Sequence, residues 1–295
     1  MKTDIPTLCR LLECDPLYKR LRFNTAKKEG KLSGAPLGEG AERAAVEYLS
    51  DHYGVTFSLK NMRASLISIA KENSYNPIEE YVTGTAWDGV LRFDSLLTDV
   101  LGAPPSDLDA EYLRCFMVGA VARQLHTDRT GVKLDTALIL HGRQGCGRTT
   151  FFHILANGYY GRTNSMPRSL GAYRVMDTSW IVEWENLDAI ARRSKQTGVL
   201  SFLSCSRDLR RKPRTSQCVG VSRRSVFVGT THTGEYLSRN HLHSRRFWVV
   251  NVPGKIDTVL LESMLDQLWA EAVHLYRSGK QWWLDAHFIA LRGAP

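Results

Sequence analysis

The chain has 295 residues, 43% of them hydrophobic and 23% charged, the balance of a protein with a sizeable buried core. No apolar run reaches the roughly 18 residues of a membrane helix, and no apolar signal core follows Met1-Lys2-Thr3-Asp4, so a cytoplasmic protein without a membrane segment is expected. A formal net charge of +9 favours a polyanionic partner, most simply nucleic acid, although a merely solvated basic surface has the same composition.

Taken in order, residues 1–75 read as a small, mainly helical N-terminal domain. Ile5, Leu8, Leu11 and Leu12 recur at helical spacing, and Pro16 ends the pattern. The glycine-rich stretch 24–41 reads as a polar loop or a pair of short edge strands. A helix over Ala41–Tyr53 stops at Gly54, and Ser58 caps another through Leu66, Ile67, Ile69 and Ala70. Residues 76–107 read as a connecting region, with an Asp88-Gly89 turn signal beside Trp87 and Phe93. A long, largely buried helix over Leu108–Leu125 follows, its N-terminal end favoured by Asp107, Asp109 and Glu111.

The apolar run Ala137–Leu140 reads as a buried strand, followed by a glycine-rich turn and a helix opening near Thr149. Gly142 and Gly147 have G-x-x-x-x-G spacing, which predicts a phosphate-binding loop; its backbone N–H groups and the helix N-terminus would hold phosphate oxygens. Gly142, Gly145, Cys146, Gly147, Arg148, Thr149 and Thr150 are the candidate nucleotide contacts, and Thr149 stands where a Mg²⁺-holding hydroxyl belongs. Arg148 occupies the position of the usual lysine, keeping the charge on a longer, planar, forked group.

Three further apolar runs, Trp180–Val182, Ser225–Thr231 and Phe247–Val252, alternate with helical segments and predict an α/β domain with a mostly parallel sheet over 108–256. Glu183, Glu185 and Asp188 end the first of these and are available to hold the Mg²⁺ shell and to activate water in a nucleotide-hydrolysing site; Glu183 and Glu185 are the catalytic candidates, and Glu183, with Thr149, the metal candidate. His232, after the next strand, is placed to sense a terminal phosphate, and Arg245 and Arg246 to reach a neighbouring subunit's nucleotide. Arg207, Arg210, Arg211, Lys212, Arg214, Arg223 and Arg224 surround Asp208 alone, a run suited to salt-sensitive binding of a nucleic-acid backbone or to a solvated loop. Residues 257–295 form an amphipathic helical tail. The six cysteines are scattered without C-x-x-C, and His232, His241 and His243 lack zinc spacing.

In combination, Asn76-Pro77-Ile78, Trp87-Asp88-Gly89, the loop, Trp180-Ile181-Val182-Glu183, Phe202-Leu203-Ser204, Val226–Thr231, Arg245-Arg246-Phe247-Trp248 and Leu268–Ala272 resemble the virulence-associated protein E family of phages and mobile islands. The resemblance covers nearly the whole chain. It implies a P-loop NTPase domain of the AAA+ and superfamily 3 helicase kind, ATP and Mg²⁺ as cofactors, a homo-oligomeric, hexameric ring, and single-stranded DNA as partner in replication. Three positions depart from the family pattern: Arg148 for lysine, Asn186 for a second glutamate, and His232 for a sensor asparagine. These departures raise an alternative, a hydrolysis-impaired relative that binds DNA or a replication partner and regulates or interferes with phage or host machinery. A metabolic P-loop kinase fits less well because it leaves the basic run unexplained.

Overall fold

The computed structural model describes residues 5–126, 128, 130–165, 167–185, 196–211, 217–232 and 245–293. It divides into two compact units, Met1–Pro77 and Ile78–Pro295. Among the described residues no helix is long and apolar enough to cross a membrane.

The first unit contains α1 (Ile5–Cys14), β1 (Leu21–Asn24), β2 (Glu29–Leu32), β3 (Ala35–Pro36), α2 (Ala41–Tyr53), α3 (Leu59–Glu72) and β4 (Ser74–Tyr75). Its core joins Leu8 and Leu12 of α1 to Leu49 of α2 and Met62, Leu66 and Ile69 of α3. Ser58 Oγ accepts the Asn61 N–H at 3.2 Å, the expected cap of α3. Beside α1, α2 and α3 the unit carries a small sheet. A four-stranded sheet ordered β3-β2-β1-β4 begins at Leu21, before the glycine-rich stretch. Asn24 makes the β1–β2 turn, its side-chain oxygen accepting from the N–H groups of Ala26 and Lys27.

The second unit begins with α4 (Pro77–Gly84). The next turn leads to a short helix, α5 (Phe93–Ser95), which runs into a π-helical turn over Leu96–Val100, and then to α6 (Asp107–Leu125). Residues 78–106 are not a mere connector. The Asp88 N–H donates to Gln267 Oε1 (3.0 Å), the Arg92 N–H donates to Glu271 Oε2 (2.8 Å), and the Trp87 ring lies 4.3 Å from that of His274. All three partners lie on α10 (Thr258–Arg277), to which this segment is therefore anchored.

Between them lie β5 (Ala137–Gly142), α7 (Arg148–Leu155), β6 (Tyr160–Thr163), α8 (Leu170–Met176), β7 (Ile181–Trp184), α9 (Gln196–Leu203), the hairpin β8 (Arg207–Arg211) and β9 (Cys218–Ser222), β10 (Val226–Thr231) and β11 (Phe247–Val252); α11 (Ala286–Gly293) is the last element. Five strands form one wholly parallel sheet, ordered β11-β5-β10-β7-β6. One face carries Ala137, Ile139, Val182, Trp184, Phe227 and Phe247 against Met176 of α8 and Val199, Phe202 and Leu203 of α9. The other faces α6, α7 and α10, where Trp180 packs on Trp269 with ring centroids 4.2 Å apart. Buried on both faces, the strands are continuous apolar runs rather than alternating ones.

Candidate functional site

In an open parallel sheet, ligand sites form beyond the carboxyl ends of the strands. Here β5 ends in the glycine-rich loop. Gly142 lies so close to β11 that a Cβ would sit 2.6 Å from the Val252 carbonyl oxygen, which excludes any side chain without backbone movement. Gly145 (φ +79°) and Gly147 (φ +100°) turn the chain through the left-handed region before α7 starts at Arg148. The Cys146 carbonyl accepts from the Ile256 N–H at 2.9 Å, bracing the loop against the segment leading into α10.

Register explains why the polar groups converge. Val228 lies opposite Glu183 across β10–β7, and Tyr160 opposite Ile181 across β6–β7. With a two-residue side-chain period, Glu183, Thr230 and Tyr160 share the face that α7 covers. Glu183 is only 1% exposed. Its Oε1 accepts from Thr230 Oγ1 (2.9 Å) and Thr149 Oγ1 (3.2 Å), and its Oε2 from the Tyr160 hydroxyl. Burial, reinforced by the bond to Glu183, pushes the Tyr160 phenol well above its ordinary range, so it stays a donor. The sequence reading brought Thr149 and Glu183 together; it missed Thr230 and Tyr160, whose only signal is strand pairing. Two hard oxygen donors, a hydroxyl and a carboxylate 3.2 Å apart, form a set that suits Mg²⁺.

Other expected contributors are placed differently. Arg148 stands at the loop, but its Nη1 donates to the Thr231 carbonyl and, at 3.5 Å, to that of Leu140. Glu185 pairs with Arg162 at 2.9 Å. His232 is exposed and borders a cavity of about 390 Å³ together with His141, Gly142, Arg143, Asn251 and Val252. Arg245 is exposed, whereas Arg246 donates to the Leu200 carbonyl and lies 4.0 Å from Asp135. Asn186, Asp188, Lys212 and Arg214 lie outside the described residues.

The basic run separates into two groups. Arg223 is 2% exposed: Nε donates to Asp208 Oδ2 (3.0 Å), Nη2 to Asp208 Oδ1 (2.5 Å) and Nη1 to the Phe202 carbonyl (2.5 Å). The expectation that Arg223 meets nucleic acid is corrected, because its charge is consumed inside the protein. Arg210 is likewise drawn inward, pairing with Asp177 and lying 3.8 Å from Asp208, over the Tyr173 ring. Arg207 and Arg224 remain exposed, with Arg211 ending β8. Arg123 of α6 was not anticipated: fully buried, it donates to the carbonyls of Ser225 and Leu134. Burial, then the neighbouring Arg223, lowers its guanidinium to about 9.

A three-layer α/β unit with a parallel sheet, a glycine loop at one strand end and a buried carboxylate beneath it is the class that fold and site define. Residues 82–291 match the virulence-associated protein E-like domain, and the chain belongs to that family. No curated protein matches it. Among solved structures, the A form apo structure of the NrS-1 C-terminal region (305–718) aligns over 97% of this chain and 70% of that one, at 11% identity and a TM-score of 0.46.

Proposed function

We propose that this protein is a P-loop NTPase of the AAA+ and superfamily 3 helicase kind, binding Mg²⁺-ATP and DNA in the replication of a phage or mobile element. The observation that carries the reading is the Thr149–Glu183–Thr230 cluster beneath the glycine loop. Backbone N–H groups from Gly142 to Thr150 cradle the phosphates. Thr149 and Glu183 hold Mg²⁺, directly or through water, and the ion supplies charge neutralisation on the phosphate oxygens. Arg245, exposed just before β11, acts across a subunit boundary of a homo-oligomeric ring. Arg207, Arg211 and Arg224 on and beside the β8–β9 hairpin contact the DNA backbone, and Leu209 (77% exposed) lies between the first two.

A second reading, a relative that binds nucleotide and DNA but hydrolyses poorly, is favoured by a specific observation. Glu185, the carboxylate expected to activate water, is paired with Arg162. The test is ATP binding and turnover with and without single-stranded DNA, run beside Arg148→Lys and Glu183→Gln. DNA-stimulated turnover in the unmodified protein, lost in Glu183→Gln, supports the first reading and removes the second. ATP binding without turnover supports the second. Absence of ATP binding in every variant overturns both.

A further inference from the structure

Two arginines border the glycine loop, and they are placed unlike one another. Arg148 is the first residue of α7, and a helical side chain leans back toward its own N-terminus. That lean carries its guanidinium onto the ends of β5 and β10, where Nη1 donates to the carbonyls of Leu140 and Thr231. Both of those residues are buried, so withdrawing the guanidinium would strip hydrogen bonds from strand-end carbonyls that water does not readily reach. Arg143, the residue after Gly142, is exposed, and its side chain makes no hydrogen bond or ion pair with another described residue. It lines the cavity that His141, His232 and Asn251 also border, at the carboxyl ends of β5, β10 and β11. No carboxylate lines this cavity among the described residues, and its polar wall is rich in potential donors.

We infer that the cation meeting the phosphates of a bound nucleoside triphosphate is Arg143, and that Arg148 is a positioning residue clamping the ends of β5 and β10. The inference rests on the nucleotide-binding reading above. A guanidinium at the loop mouth with no described partner can engage two phosphate oxygens at once, whereas Arg148 has its Nη1 held by the strand-end carbonyls and its fork turned toward them. His232 and the Asn251 amide, whose Oδ1 pairs with His141 Nδ1 at 2.8 Å, supply further donors to the same anion. In its clamping role Arg148 fixes Thr231, the neighbour of both Thr230, which donates to Glu183, and His232.

The experiment is calorimetric titration of the full chain with Mg²⁺-ATP and with inorganic tripolyphosphate, at two salt concentrations, beside thermal unfolding. Arg143→Ala is expected to weaken both ligands about tenfold or more, the scale of one lost charge-assisted contact, and to reduce the salt dependence, with Tm unchanged. Arg143→Lys should restore part of the affinity. Arg148→Gln is expected to lower Tm while changing ATP affinity less than about threefold. An Arg143→Ala affinity within about threefold of the unmodified protein overturns the inference, whether or not Arg148→Gln folds. If Arg148→Gln folds and alone abolishes ATP binding, the inference fails while the nucleotide loop stands. An unmodified chain that binds neither probe removes the nucleotide reading and this inference with it.

Discussion

Replacing Arg223 with Ala separates a structural role from a nucleic-acid role in a run of similar residues. Its side chain is wholly enclosed and the Asp208 side chain is 2% exposed. The pair is bidentate, with a third bond to the Phe202 carbonyl at 2.5 Å and the guanidinium 4.2 Å from the Phe202 ring centroid. Removing one partner of such a pair leaves the other charge buried, at a cost of about 3–5 kcal/mol. Two features favour the lower end. Arg210 Nη2 stays 3.8 Å from Asp208, and Arg123, whose pKa is held down first by burial and next by Arg223, loses a like-charged neighbour. For a unit of this size each kcal/mol moves Tm by about 2–4 °C, so about 3 kcal/mol corresponds to roughly 6–12 °C. Arg207→Ala, at an exposed site, should stay within about 0.5 kcal/mol. Arg223→Met with Asp208→Asn should recover much of the loss, since neither charge then remains buried. Denaturant and thermal unfolding measure these values. An Arg223→Ala protein less than about 1 kcal/mol destabilised, yet binding DNA with a reduced salt slope, would refute the internal pairing and return Arg223 to the nucleic-acid surface.

Tyr160→Phe should cost about 1.5–3 kcal/mol of unfolding free energy by removing one of three hydroxyls on the buried Glu183, and it should weaken the Mg²⁺ dependence of nucleotide binding; unchanged values in both assays would refute the cluster. Glu271, faced by the charges of Arg92, Arg114 and Asp94, has its pKa raised above 4.5, chiefly by burial. A raised folded-state pKa means that its favourable contribution is present below the unfolded pKa and lost as pH rises through the folded one. The Tm of the unmodified protein minus that of Glu271→Gln should therefore fall as pH is raised above 4.5, and a flat difference would contradict the shift. Arg246→Ala should lower Tm through lost contacts to Leu200 and Asp135. Arg245→Ala should leave Tm alone and, if the subunit-bridging role holds, reduce turnover of the assembled protein by about 10³-fold.

What was legible in the sequence was chiefly local chemistry. The run Ala137–Leu140, the glycines at 142, 145 and 147, and the Ser58 cap depend on neighbours within a few residues, and the sequence displays those neighbours directly. The first unit's sheet was less legible because its strands are two to four residues long, too short for a period to emerge. The anchoring of residues 86–92 was hidden because its partners are 179 to 187 positions away. Asp208 offered a signal that went unused. As the one acid in a basic strand, between Arg207 and the apolar Leu209, it lies on the opposite face from both, and a carboxylate facing inward requires a cation of its own.

Two of the three departures from the family pattern, Arg148 and His232, meet at the end of β10, while the third, Asn186, lies outside the described residues. Arg148 holds Thr231, Thr230 donates to Glu183, and His232 follows them along the same chain. A lysine at 148 is shorter, so its ammonium does not extend as far toward the Leu140 and Thr231 carbonyls that Arg148 Nη1 meets. Restoring the usual lysine would therefore release the end of β10 while leaving Glu185 held by Arg162. If hydrolysis is weak in the unmodified protein, Arg148→Lys alone is not expected to recover it, because the carboxylate that would orient water remains paired. The combined change Arg148→Lys with Arg162→Ala frees that carboxylate as well, and turnover in the combined variant but in neither single one would identify the pairing of Glu185 as the constraint. Equal turnover in Arg148→Lys alone would locate the constraint in the arginine instead.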